Sequence, residues 1–223
     1  MENKLLFIGA LGAFFLATAA TLVSDMHGLG DWFIASLQTR NISLNPATIY
    51  ATPYTIAGSF GEPLLILSIA MLTTGLYGIW LKAHHPIARL AVIVGILYLL
   101  ERGFWSYVTT HFAHSLQMHP TITDYMVLTQ AGFLKGMGAL LGGLIGGFGF
   151  STALTLLFFS LRNPYGITGG LIVLVAMMIG MPAKIYFMNH ISAALLTTFI
   201  ISMVIKNFGV VLMGVGLLHE AWK

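Results

Sequence analysis

Twelve side chains with chemical potential stand at unusual positions along the chain. Glu62, Glu101, Arg102 and Lys206 interrupt long apolar runs, as do Lys135 and Lys184. Charges at membrane depth are costly, so they face a bundle interior or a wet cavity and serve proton relays, substrate sites or counter-ions. Glu101 and Arg102 lie mid-run, about 17 Å from its start at 1.5 Å per residue. Neighbours on a helix point roughly 100° apart, so each is expected to find its partner on another helix. Tyr98, Phe104, Trp105 and Tyr107 would wall them in. The pair reads either as interhelical packing charges or as part of a proton, quinol or substrate site.

Lys206 is the deepest lone cation. Ser202 and Gly209, four before and three after it, share its face. That small, polar face is expected to point inward, with Glu101 or Glu62 as partner. Glu62 is followed by Pro63, and a kink there beside Gly58 and Ser59 would open a wet cavity near the surface. An interfacial carboxylate is the plainer reading. Lys184 and Lys135 lie near run ends, where long stems reach the interface.

The remaining candidates cluster at the ends of runs. His111 and His114 have the i,i+3 spacing of one helical face, and His119 precedes Pro120. Asp25, His27 and His190 belong to the same membrane side. Imidazole and carboxylate together suit a transition metal or an axial haem ligand. We assign His111, His114 and His190 to cofactor binding, and His27, Asp25 and His119 to metal ligation. Haem b, a quinone or a His-bound transition metal would fit; interfacial imidazoles without any ligand are the plain alternative. No HExxH motif occurs, and with no cysteine there are no thiolate sites, iron–sulfur clusters or disulfides.

Gly138, Gly142 and Gly146 repeat a small-xxx-small spacing, which lets helices approach closely or lets a flat cofactor lie against the backbone. The 12 methionines read as core filler.

These residues need elements to hold them. Of 223 residues, 57% are hydrophobic and 8% charged, against roughly 25% charged in soluble domains. Mean hydropathy is +0.89. The fold class is therefore all-α, a polytopic integral membrane protein. Six apolar runs of about 20 residues or more predict six transmembrane helices in a bundle, at about 5–23, 57–81, 90–112, 134–161, 168–187 and 191–218. Continuous rather than alternating apolarity selects helices over barrel strands. The whole chain, 1–223, reads as one transmembrane domain. The first run resembles a signal peptide, with Lys4 before it and Ala17-Thr18-Ala19 at its end, but is taken as a retained helix.

Lys4, Lys82, Arg89, Arg162 and Lys223 fall on one side and Arg40 on the other. By the positive-inside rule both termini are cytoplasmic. The long loop 24–56 then lies outside, where Trp32 and Phe33 could anchor a short interfacial helix. No internal repeat marks an inverted-repeat transporter. Expected partners are the lipid bilayer and other membrane subunits, with no nucleic acid and no nucleotide, in a prokaryotic cell membrane.

Three functions remain open. The first is a membrane subunit of a respiratory or other redox complex, with a quinone, haem or metal site towards the outer face. The second is a small-solute or ion transporter using Glu62, Glu101 and Lys206. The third is a structural subunit of a membrane complex.

Overall fold

In an apolar chain of this kind the backbone must satisfy its own hydrogen bonds, and helices do so within each segment. The computed structural model describes residues 2–20, 61–118, 141–189 and 192–223. These residues form six helices and no strand. They are α1 (Glu2–Ala20), α2 (Glu62–Ala83), α3 (Pro86–Met118), α4 (Ser151–Ser160), α5 (Pro164–Asn189) and α6 (Ala193–Trp222). A π-helical segment, Gly142–Phe150, leads into α4. Four stretches are long and apolar enough to cross a membrane: Glu2–Ala19, Pro63–Ala83, Pro164–Ala183 and Ala193–Trp222. This is consistent with an integral membrane protein.

The helices form a cycle. α1 packs between α2 and α6, α5 lies along α6, and α4 joins α5. α3 packs on α2 and on the π segment, closing the ring. Adjacent partners run antiparallel: Gly9 of α1 meets Gly75 of α2, and Gly169 of α5 meets Gly209 of α6. A Cβ on Gly9 would stand 2.5 Å from Gly75 Cα, and one on Gly169 would stand 2.5 Å from Gly209 O. Only glycine permits such backbone contact.

The start of α1, the end of α2, the start of α3, the end of α4, the start of α5 and the end of α6 thus share one end of the bundle, here called proximal. Leu6, Leu72, Leu76, Leu154, Leu157, Phe158, Met213 and Leu217 fill the centre of the bundle there. Outward faces are apolar too, with Leu100, Met178 and Val204 each about two-thirds exposed. Two buried hydroxyls bond back along their own helices: Ser68 Oγ donates to Leu64 O at 2.5 Å, and Thr155 Oγ1 to Ser151 O at 2.7 Å. That is the usual solution where water is absent.

Several boundaries differ from expectation. α3 was expected over 90–112 but runs 33 residues, from Pro86 to Met118. The fourth run was expected as one α-helix over 134–161; residues 142–150 instead adopt π geometry. The i→i+5 bonding widens the turn there, and Gly138, the first of the three spaced glycines, lies outside the described residues. Pro63 was expected to kink a helix already begun. It sits in the first turn of α2 as described, and residues 57–60, where that helix was expected to begin, lie outside the described residues.

Candidate functional site

The charges expected at mid-membrane come first. Glu101 lies 15 residues into α3, about 22 Å from its proximal start. Its partner is its own neighbour. Arg102 Nε donates to Glu101 Oε2 at 2.7 Å, and Arg102 Nη2 to Oε1 at 2.6 Å. The side chains are 14% and 7% exposed respectively. For Glu101, the expectation of a partner on another helix is corrected here. An arginine stem is long enough to curl back, and a low-dielectric surrounding rewards the nearest counter-charge. A two-point fork also fits the flat guanidinium to a carboxylate.

One turn towards the proximal end, Tyr98 lays its ring over Gly146 of the π segment, where any Cβ would collide with it. The Tyr98 and Phe150 rings stand 5.8 Å apart at 51°. The close approach expected of a flat cofactor at this glycine is thus made by the chain's own tyrosine.

Lys206 lies half-buried on α6, 16 residues before Trp222, or about 24 Å from that end. Its depth therefore matches the Glu101–Arg102 pair across the cycle. Ser202 and Gly209, on its face, are both buried; Ser202 packs against Gly180 and Gly209 against Gly169, both on α5. Lys206 separates the main core, which includes Val210, from a small cluster of Ala183, Phe199 and Met203. The buried Ser202 and Gly209 thus turn towards α5.

The other candidates are only partly in view. Glu62 is the first residue of α2. His111 and His114 stand on the α3 backbone, nine and twelve residues beyond Arg102. Asp25, His27, His119 and His190 lie outside the described residues, as does Lys135. Among the described residues no group of three His, Asp or Glu could hold a metal ion.

The structure brings forward a site that sequence reasoning passed over, at the proximal end. Asn163 is fully buried. Its Nδ2 donates to Gly216 O at 2.8 Å and Glu220 Oε1 at 2.7 Å, while its Oδ1 accepts from Gly166 N at 3.0 Å. It thereby caps α5, with Pro164 next in line, and ties the α4–α5 turn to α6. Glu220 Oε1 also takes Lys223 Nζ at 2.7 Å, and its backbone carbonyl accepts Lys82 Nζ at 2.9 Å. The Tyr165 and His219 rings meet edge-on at 5.6 Å. The dipeptide Asn163-Pro164 was the available signal, since Asn and Pro are favoured at the cap and first position of a helix.

Compared with known proteins, the chain matches no family model, no curated sequence and no solved structure.

Proposed function

We propose that the protein is a six-span integral membrane protein of a prokaryotic cell membrane, with both termini cytoplasmic. We read it as a membrane subunit of a respiratory or other redox complex with a quinone, haem or metal site towards the outer face. One observation carries this. A single unbroken helix, α3, bears the membrane-buried Glu101–Arg102 pair and, about 14 and 18 Å further on, His111 and His114. At 33 residues α3 spans about 50 Å, well beyond a hydrocarbon core of roughly 30 Å. The histidines therefore belong at the distal interface, where a quinol head group, a haem edge or a metal would meet water. The paired charges below them offer hydrogen-bonding groups at membrane depth.

Purified protein tests this by its visible spectrum, metal content and extractable quinone. A haem band, stoichiometric metal or retained quinone supports the reading. A colourless, metal-free and quinone-free protein speaks against it.

A small-solute or ion transporter is the second reading. It is favoured by the matching depths of Lys206 on α6 and Glu101 on α3, on opposite sides of one ring of helices. Solute-dependent thermal stabilisation would support it.

A further inference from the structure

Two residues among those described hold a left-handed backbone without being glycine: His84, with φ of 47°, and Arg162, with φ of 53°. No described glycine has positive φ. Left-handed C-terminal helix caps ordinarily take glycine, because a Cβ is strained there. The chain is not poor in glycine, with 25 in all. Yet both strained caps carry side chains with nitrogen donors, and both side chains are exposed at the same end of the bundle.

The geometry connects them. Arg162 closes α4 in a two-bond cap: its N–H reaches Phe159 O at 3.1 Å and Asn163 N–H reaches Phe158 O at 3.0 Å. Asn163 then binds Glu220, whose carbonyl holds Lys82, two residues before His84. His84 ends α2 with its own N–H on Trp80 O at 2.8 Å. The α4–α5 turn, the end of α6 and the α2–α3 turn therefore converge on Glu220. Its carboxylate is engaged by Asn163 and Lys223. Lys82, bonded to the Glu220 carbonyl, His84, two residues beyond it, and Arg162, next to Asn163, all have exposed side chains, as do Trp222, two residues past Glu220, and Tyr165, whose ring meets that of His219. Trp and Tyr belong at headgroup level, and clustered cations there attract anionic lipid.

We propose that this rim is a binding site for the phosphodiester headgroup of an anionic phospholipid in the adjoining leaflet, with Arg162 as the principal contact and His84 and Lys82 beside it. Retaining side chains at two strained caps is what a ligand for those side chains would explain. The proposal rests on the membrane-spanning reading and is independent of any redox role.

Arg162→Gly is the informative variant, since it removes the guanidinium while relieving the backbone. The full-length protein is placed in nanodiscs of mixed phosphatidylglycerol and phosphatidylcholine, and the retained lipids are counted by native mass spectrometry. The wild type should favour phosphatidylglycerol. Arg162→Gly should lower that preference about fivefold, the scale of one cation near an anionic surface, with its melting temperature in pure phosphatidylcholine unchanged or raised. His84→Gly should lower it less. Arg89→Gln, an exposed cation at the start of α3, should leave it near wild type. Equal retention by wild type and Arg162→Gly would overturn the proposal. So would an Arg89→Gln loss as large as that of Arg162→Gly, which would mean diffuse charge. Stabilisation of wild type but not Arg162→Gly by millimolar inorganic phosphate, with lipid retention unchanged, would assign the site to a soluble anion and overturn it too.

Discussion

Arg102 clasps Glu101, the residue immediately before it, through two bonds of 2.6 and 2.7 Å. The pair joins two charges of a largely apolar helix into one nearly neutral unit. The Glu101 carboxylate thus meets its counter-charge on its own helix.

Removing either member of the pair should be costly. Glu101→Gln leaves a buried guanidinium without its carboxylate, and the expected loss is about 3–5 kcal/mol. Arg102→Gln should cost a similar amount. The double variant should lose less than the two singles together, because the interaction can be lost only once. Unfolding of the purified protein in mixed detergent micelles measures all three; additive losses would show that the pair contributes no coupling.

Helix contacts through glycine should be intolerant of one methyl group. Gly9→Ala and Gly169→Ala each place a Cβ 2.5 Å from backbone atoms of the facing helix. Each should destabilise by about 1–3 kcal/mol through forced separation of the helices. Gly103→Ala meets nothing within 4 Å among the described residues and should be neutral or stabilising, since alanine is the better helix former. Melting temperatures of the three variants in one detergent check the contrast.

Asn163 should behave as a structural keystone of the proximal end. Asn163→Ala loses the α5 cap and two bonds to α6, an expected cost of about 2–3 kcal/mol. Asn163→Asp keeps an acceptor for Gly166 N but sets a carboxylate against Glu220, so it should not restore stability. Recovery to wild type by aspartate would show that only the cap matters.

The division between what could be read from the sequence and what could not has physical causes. Apolar run length is a bulk property, so the helices of 2–20, 62–83 and 193–222 lie close to the expected 5–23, 57–81 and 191–218. Their ends are local properties. α5 begins at Pro164, not Thr168, because Asn163 supplies the cap. The Glu101–Arg102 clasp was missed because direction along a helix was weighed without the reach of an arginine stem. π geometry at Gly142–Phe150 has no periodic signature in a segment that is almost wholly glycine and apolar. Lys206 was legible because Ser202 and Gly209 mark its face by size alone.

The proposed membrane orientation rests on the basic residues of the proximal end. The native chain has no cysteine, so single cysteines report cleanly. Asn41→Cys and Thr121→Cys should react with an impermeant thiol reagent added to intact cells. Ala83→Cys, at the exposed end of α2, should react only after the cells are opened. The reverse pattern would invert the topology and with it the side assigned to His111 and His114.

The redox reading is tested most directly by cofactor content in histidine variants. Haem, metal and quinone are quantified per protein for wild type, His111→Ala, His114→Ala and His84→Gly, the last chosen because glycine suits the left-handed backbone at that position. The account predicts a stoichiometric cofactor in wild type and in His84→Gly, and its loss in both α3 variants. A wild type without cofactor, or equal content in all four proteins, would contradict it.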